Sequence, residues 1–226
     1  MTWIKICGFQ CEEELHAIQD LDLNAVGFVL VPGRRRTVSK ANLRNMIHLV
    51  PSHLFTVGVM MDPTLQEIED WLTEFPLRAI QLHGVESPSF CAEVKKRFSI
   101  QLIKTFHVDH QGTSTSPSSY LPWIDLALLD SVVKGKRGGT GTSFQWKQVI
   151  PPFQKECIQA NLPLWIAGGL QESNIIDLLQ MYTPDGVDLS SSVEIHGKKD
   201  LYLMSSFIER VRKHGSTNSQ NNGSNQ

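Results

Sequence analysis

Two residues with acid–base chemistry each follow a short apolar run of the sequence. Cys7 comes after residues 3–6, and Asp130 comes after residues 126–129. A thiolate can act as a base or a nucleophile, and a carboxyl group at the end of a buried strand can act as an acid if its surroundings raise its pKa. The alternatives are a free cysteine that packs as a small hydrophobe and an aspartate that bonds to the backbone of its turn.

Three turns made of small residues follow later apolar runs. Gly138-Gly139-Thr140-Gly141 comes after Asp130, Gly168-Gly169 comes after residues 164–166, and Ser190-Ser191-Ser192 comes after residues 186–189. Glycine-rich turns let backbone N–H groups approach an anion closely. The sequence contains neither a P-loop nor a dinucleotide-binding fingerprint. The turns therefore indicate a simple anion site, unless they only satisfy tight turn geometry.

Arginine and histidine also occur where apolar runs end. Arg34, Arg35 and Arg36 follow the second run, and the planar guanidinium fork of arginine suits a carboxylate. At least one of the three is expected to be only a surface charge. His83 ends the fourth run and is interpreted as a possible hydrogen-bonded wall residue. His107 and His110 are too isolated to indicate a metal, and Asp109 beside them does not change this because no third ligand can be placed. We therefore predict no metal site.

The elements that position these residues alternate between strand and helix. Eight apolar runs are typical of parallel strands covered on both faces, and most of them precede an amphipathic segment. This order favours a single (β/α)8 (TIM) barrel, with an open doubly wound sheet as the alternative. In such barrels the active site lies at the carboxyl ends of the strands. The predicted strands are residues 3–6, 25–30, 55–60, 78–82, 101–105, 126–129, 164–166 and 186–189.

The predicted barrel is irregular between its fifth and sixth strands. Residues 110–119 are rich in serine and threonine and include a proline, so the fifth helix is expected to be short, irregular or absent. Residues 1–213 are predicted to form one catalytic domain. Residues 214–226 contain no apolar side chain and are predicted to form a disordered polar tail.

Composition excludes several classes of partner. The chain has 226 residues and a formal net charge of −2, which argues against sequence-independent nucleic-acid binding. Its four cysteines have no disulfide or zinc-finger spacing, and no apolar stretch reaches the length of a membrane helix. The first residues run directly into a strand pattern without a secretory signal. We expect a cytoplasmic protein with reduced cysteines and no membrane partner.

A set of short motifs resembles the phosphoribosylanthranilate isomerase family. They occur in the family's order, and the likeness runs from about Ile4 to Arg212. The motifs are Lys5-Ile6-Cys7-Gly8, Gln81-Leu82-His83-Gly84, Leu129-Asp130-Ser131, Gly138-Gly139-Thr140-Gly141-x-x-Phe144-x-Trp146, Ala167-Gly168-Gly169-Leu170 and Val187-Asp188-Leu189-Ser190-Ser191-Ser192-Val193-Glu194.

The resemblance implies an Amadori rearrangement in tryptophan biosynthesis that needs no cofactor or metal. It implies that Cys7 is the general base, Asp130 the general acid and Arg36 the residue that holds the anthranilate carboxylate. The substrate would be a small phosphorylated molecule, and the enzyme a monomer or homodimer. The remaining site residues are an active-site loop and a phosphate site: Gly139, Thr140 and Gly141 in the loop, and Gly168, Gly169, Ser191 and Ser192 around the phosphate.

One departure and two rival functions remain. Ser192 stands where the family usually has glycine; if that position needs a positive φ, serine there costs about 1 kcal/mol.

Indole-3-glycerol-phosphate synthase is one rival function. It would share the phosphate end but would use lysine and glutamate, and Lys5 and Lys104 are candidates. A binding protein that keeps the barrel without catalysis is the second rival, although Cys7 and Asp130 argue against it.

Overall fold

The predicted barrel is present in the computed structural model, which describes residues 1–108, 115–130 and 141–222 and omits the side chains of 141–145 and 216–222. Eight parallel strands pair in chain order, and the first strand pairs with the eighth, which closes the barrel. The strands are β1 (Trp3–Cys7), β2 (Ala25–Val29), β3 (Phe55–Met60), β4 (Ala79–Leu82), β5 (Gln101–His107), β6 (Leu126–Asp130), β7 (Leu164–Ala167) and β8 (Gly186–Leu189).

Helices connect most of the strands. Between β5 and β6 the described residues contain only a 3-10 turn, Leu121–Trp123, which confirms the irregular fifth connection. A short hairpin, β9 (Glu194–Ile195) and β10 (Lys198–Lys199), follows β8. The helices are α1 (Glu12–His16), α2 (Lys40–Met46), α3 (Leu65–Glu74), α4 (Pro88–Arg97), α5 (Gly141–Gln159), α6 (Ile175–Tyr182) and α7 (Leu201–Asn222), with 3-10 turns at Ile47–Leu49 and Ser191–Val193.

Local sequence signals set the starts of several helices. Thr64 and Glu67 form a capping box at α3, in which each side chain bonds the backbone N–H of the other residue. Ser87 caps α4, and Pro88 occupies the first turn, where its missing N–H costs nothing. These caps satisfy backbone donors that would otherwise lack partners. They fix where the chain turns back towards the next strand.

Side chains that alternate in direction along the strands form two apolar layers, one outside and one inside the barrel. One layer packs between the strands and the helices and includes Ile4, Ile6 and Phe28. The other fills the inside of the barrel, because every second residue of a strand points to the same face. The inner layer comprises Cys7, Ala25, Val57, Val59, Ala79, Ile103, Leu128, Trp165 and Ala167.

Aromatic side chains cover the end of the barrel where the strands begin. Trp3 contacts both Phe55 and Trp165, with ring centroids 6.1 and 5.9 Å away. Gly186 lies directly against the Trp165 indole: a Cβ atom added to Gly186 would stand 2.5 Å from Trp165 Nε1. This end of such barrels serves stability rather than catalysis.

The last helix differs from the predicted tail. α7 continues to Asn222, through residues 214–222 that the sequence predicts to be disordered, and residues 223–226 lie outside the described residues. Once a helix has formed, each added residue gains one hydrogen bond, so the loss of the apolar pattern does not end it at once. None of the described helices is long and apolar enough to cross a membrane, and all four cysteines are free.

Candidate active site

Cys7 and Asp130 lie at the same end of the barrel. Cys7 is the last residue of β1 and Asp130 the last residue of β6, and all eight strands are parallel. Cys7 belongs to the inner layer, and Asp130 comes two residues after the inward-facing Leu128. Both side chains are therefore directed to the inside of the carboxyl-terminal rim. The ends of β7 and β8 lie between them around the ring of strands.

The Cys7 thiol occupies a space that Gly27 leaves open. A Cβ atom on Gly27, in the neighbouring strand, would stand 2.8 Å from Cys7 Sγ. Burial raises the pKa of Cys7, although the nearby Lys5 ammonium acts in the opposite direction. Lys5 is buried and bonds Asp188 across the β1–β8 seam, with an Nζ–Oδ2 distance of 2.9 Å. Burial favours a neutral Lys5, but the Asp188 carboxylate holds its pKa above the ordinary value.

Asp130 lies beside two histidines at the ends of neighbouring strands. Its Oδ2 is 3.8 Å from His83 Nε2, and its side chain is 16% exposed. His107 is its register partner on β5. The rings of His83 and His107 meet edge to face with centroids 4.7 Å apart. Sequence reasoning left His107 without neighbouring ligands, whereas the folded chain brings His83 and Asp130 to it.

His83 is held in its neutral form. Burial, followed by the neighbouring His107, lowers the pKa of His83 to about 3. Its Nδ1 lies 3.2 Å from Thr105 Oγ1, on the adjacent strand β5. The predicted wall residue therefore directs its Nε2 towards Asp130.

Arg36 is more buried than Arg34 and Arg35. Its side chain is 22% exposed, against 62% for Arg35, and its Nε and Nη2 donate to Glu194 over 2.6 and 2.8 Å. Lys199 also donates to Glu194, over 2.8 Å. Burial opposes the ionisation of Glu194, but the hydrogen bonds from Arg36 and Lys199 outweigh it and lower the pKa of Glu194. Glu194 thus orients Arg36 at the rim beside Gly8, which the Arg36 side chain overlies.

The two predicted phosphate turns lie next to each other after β7 and β8. Gly168 and Gly169 have φ values of +87° and +65°, a conformation that favours glycine. Ser191 and Ser192 belong to the 3-10 turn Ser191–Val193. Among the described residues, the non-glycine positions with positive φ are Asp62, Asn161, Thr183 and His196. Ser192 is not one of them, so the serine causes no backbone strain there.

The predicted active-site loop is described only at its end. Gly139 and Thr140 lie outside the described residues, and Gly141 begins α5. Two residues that sequence reasoning did not assign to the site are Gly27 and Lys199. Gly27 had a signal in the sequence, since a glycine inside a strand often marks a close approach of another group. Lys199 had none, because it reaches Glu194 only through the β9–β10 hairpin.

A parallel barrel that gathers a thiol, a carboxyl group, an arginine and glycine turns at the carboxyl ends of its strands defines the class of (β/α)8-barrel enzymes. Comparison with known sequences narrows this class. The profile of the N-(5'phosphoribosyl)anthranilate (PRA) isomerase family matches residues 4–210, and the chain belongs to this family.

Individual relatives support the same family assignment. The N-(5'-phosphoribosyl)anthranilate isomerase of Brevibacillus brevis is 37% identical over 215 residues, which is 95% of each chain. That of Gloeobacter violaceus is 36% identical over 208 residues, 91% of each chain. The phosphoribosyl anthranilate isomerase structure from Thermotoga maritima has a TM-score of 0.77 at 29% identity and covers 94% of this chain and 100% of its own.

A second solved structure contains a ligand. It is a phosphoribosyl anthranilate isomerase in complex with reduced 1-(o-carboxyphenylamino)-1-deoxyribulose 5-phosphate, with a TM-score of 0.76 and 28% identity. It covers 94% of this chain and 100% of its own. That ligand carries a carboxylate and a phosphate, the two groups that Arg36 and the glycine turns suit chemically.

Proposed function

We propose that this chain converts N-(5'-phosphoribosyl)anthranilate into 1-(2-carboxyphenylamino)-1-deoxyribulose 5-phosphate, with Asp130 as general acid and Cys7 as general base. The reaction is the Amadori rearrangement of tryptophan biosynthesis that this family catalyses. The observation that supports the residue roles is the common placement of Cys7 and Asp130. Both face the inside of one rim, from β1 and β6.

The first step opens the sugar ring. A protonated Asp130 gives its proton to the furanose oxygen, and the bond from that oxygen to C1 breaks. The anthranilate nitrogen supplies the electron pair and becomes an iminium. The partly exposed position of Asp130 at the rim leaves it within reach of a bound sugar.

The second step moves the C2 proton. The Cys7 thiolate removes this proton, whose acidity the adjacent iminium has raised, and the electron pair forms the C1–C2 double bond and neutralises the nitrogen. The resulting enolamine loses the proton of its C2 hydroxyl and gains one at C1, which gives the ketone. Each member of an acid–base pair of this kind contributes on the order of 10² to 10⁴ in rate.

The substrate's two anionic groups fit different parts of the rim. Arg36, which Glu194 orients, would hold the anthranilate carboxylate. The turns at Gly168-Gly169 and Ser191-Ser192 would hold the phosphate, and they lie after β7 and β8, between the strands that carry Asp130 and Cys7. A substrate bound in this way spans the barrel mouth with its pentose between the acid and the base.

The family also suggests the oligomeric state and the cellular compartment of the enzyme. Solved neighbours include monomers generated from the dimeric phosphoribosylanthranilate isomerase of Thermotoga maritima. We expect this chain to act in the cytoplasm as a monomer or homodimer. Its partner is a small phosphorylated substrate.

The acid–base roles predict large losses of turnover in two conservative variants. Cys7→Ser and Asp130→Asn should each reduce kcat by about a hundredfold or more, because each removes one proton-transfer group. The measurement is the loss of substrate anthranilate fluorescence with purified protein. Circular dichroism and the melting temperature should show that both variants keep the wild-type fold.

The pH profile of Asp130→Asn separates a base from a structural thiol. Burial raises the pKa of Cys7, so its thiolate is a minority at neutral pH. Because this variant no longer needs a proton on residue 130, its residual kcat/KM should rise as the pH increases into the alkaline range. Near-wild-type turnover by either variant would overturn the mechanism. A wild-type protein that binds the substrate without consuming it would instead support the non-catalytic rival.

A further inference from the structure

We propose that His83, His107 and Asp130 form a binding site for a divalent transition metal of the Zn²⁺ type, and that the bound metal inhibits the isomerase. The three residues end consecutive strands or directly follow them: His83 comes after β4, His107 ends β5 and Asp130 ends β6. One ligand atom from each lies within 4.8 Å of the other two. The inhibitory part of this inference rests on the proposed role of Asp130 as general acid.

The spacing of the three side chains is close to that of a zinc site. Ligand atoms 2.0–2.1 Å from a tetrahedral zinc ion stand about 3.3 Å from one another. His83 Nε2 and Asp130 Oδ2 are already 3.8 Å apart, and the longest separation in the group is at most 4.8 Å. Small side-chain rotations, chiefly of the exposed His107, would close the remaining gap. Zinc sites with three protein ligands keep a fourth position for water.

Hydrogen bonds engage one ring nitrogen of each histidine and leave the other nitrogen for a metal. His107 Nε2 donates to the backbone oxygen of His83 over 3.0 Å, so its Nδ1 carries the lone pair. His83 Nδ1 lies 3.2 Å from Thr105 Oγ1 and 3.4 Å from Gln81 Nε2, and its Nε2 faces Asp130. When a metal takes Nε2, Nδ1 carries the proton and donates it to Thr105 Oγ1 instead of accepting from Gln81. A second hydrogen bond that fixes the tautomer of a ligating histidine is characteristic of protein metal sites.

The charges around the group permit a cation. Two buried lysines lie near, but each is paired with a carboxylate: Lys104 with Glu86 over 2.8 Å, and Lys5 with Asp188 over 2.9 Å. Arg34 is exposed, and solvent screens its charge.

Metal binding and catalysis would compete for Asp130. A coordinated carboxylate is deprotonated, so it cannot donate a proton to the furanose oxygen. His107, which the proposed reaction does not use, would thus have a role at the rim.

Titration with Zn²⁺ alone tests the binding part. Isothermal titration calorimetry of the metal-free protein should show one equivalent bound by the wild type and by His53→Gln, in which an exposed histidine away from the group is replaced. His107→Gln and His83→Gln should weaken that binding by about tenfold or more, since even outer-shell changes cost 10- to 100-fold. Unchanged Zn²⁺ affinity in His107→Gln would overturn the site.

Co²⁺ distinguishes this site from binding at a cysteine. Cobalt on nitrogen and oxygen ligands lacks the near-ultraviolet thiolate charge-transfer band, so the spectrum of the 1:1 complex should show no such band. A thiolate band that disappears in Cys7→Ser or Cys11→Ser would place the metal elsewhere and overturn the proposal.

The inhibitory part has its own test. Zn²⁺ added to metal-free wild type and to His53→Gln should suppress isomerase activity, and EDTA should restore it. His107→Gln should keep wild-type activity without metal and should need at least about tenfold more Zn²⁺ for the same inhibition. Equal inhibition of His107→Gln and wild type would overturn this part. If the metal-free wild type shows no isomerase activity, the proposed function fails, whereas the calorimetric result still decides the metal site.

Discussion

Three consecutive arginines at the second strand end have different surroundings, although their sequence context is nearly the same. Arg36 donates two hydrogen bonds to Glu194 from a half-buried position, whereas Arg35 reaches the same carboxylate from a side chain that is 62% exposed. Among the described residues Glu194 engages two of the five N–H donors of Arg36, so a substrate carboxylate can meet the others. The difference in burial predicts a difference in function.

Arg36→Ala should raise KM with little change in kcat, because carboxylate binding is shared by the ground and transition states. A hydrogen-bonded ion pair contributes about 1.5–3 kcal/mol, so the expected increase is about tenfold to a hundredfold. Arg35→Ala is the matched control. It removes an exposed ion pair to the same Glu194 and should change KM by less than about fivefold. Steady-state kinetics measure both, and equal effects of the two variants would remove the special role of Arg36.

Sequence reasoning identified the chemical groups of the site better than their contacts. Cys7, Asp130 and Arg36 end strands or follow them, and a strand end can be recognised from the apolar run before it. The Arg36–Glu194 pair joins residues 158 positions apart, and the His83–His107–Asp130 group depends on the register between three strands. Glu194 lies in a recognised motif, but its partner could not be read from that motif. Register fixes these contacts, and no local pattern encodes it.

At the level of elements, the close contact between β7 and β8 depends on a missing side chain. Gly186 begins β8, and its backbone lies against the flat face of Trp165 in β7. Parallel strands stand about 4.8 Å apart, so a large indole beside the seam needs a neighbour without a Cβ atom. The contact helps to close the end of the barrel where the strands begin.

Gly186→Ala should therefore destabilise the protein by about 1–3 kcal/mol, because the new Cβ would stand 2.5 Å from Trp165 Nε1 and force the ring to move. For a protein of this size that corresponds to a melting temperature lower by about 2–12 °C. Gly215→Ala is the control, since nothing lies within 4 Å of its added Cβ and alanine favours a helix. Differential scanning calorimetry compares them, and an unchanged melting temperature for Gly186→Ala would contradict the packing argument.

The elements themselves were predictable to different degrees. The strands were recognised because each is a continuous apolar run, and the irregular fifth connection was recognised from its composition. Helix ends are harder to predict: the apolar spacing of Leu15, Ile18 and Leu21 continues beyond His16, where α1 ends. The long α5 carries Pro151 and Pro152, residues that normally argue against a helix interior. The helix continues through the two prolines, and Trp146 and Phe153, which lie on either side of them, both pack into the outer apolar layer.

At the level of the whole molecule, Arg212 joins the last helix to the beginning of the chain. It donates to the backbone oxygen of Thr2 over 2.7 Å, to Asp22 Oδ2 over 2.8 Å and to Asn24 Oδ1 over 2.7 Å. These contacts connect α7 to the start of β1 and to the segment before β2. We propose that the catalytic domain comprises residues 1–213 and that residues 214–226 are a dispensable tail.

Deletion of residues 216–226 should leave kcat/KM unchanged and shift the melting temperature by less than about 2 °C, because that segment carries no apolar side chain for the core. Arg212→Ala in the full chain should lower the melting temperature by more, since it removes several partly buried hydrogen bonds. Thermal unfolding and the fluorescence assay measure these effects. A truncated protein that melts as low as Arg212→Ala would show that the tail belongs to the domain.

The pairing of β1 with β8 also affects how the protein is made. Lys5 and Asp188, which meet across this seam, are separated by 183 residues of sequence. A ribosome that adds 5–20 residues per second needs about 10–40 s to travel that distance. Throughout this interval the first strand of the nascent chain lacks one of its two neighbours and exposes an unpaired edge, which is a site for wrong association. The first strand therefore gains its second neighbour only after the final strand has emerged.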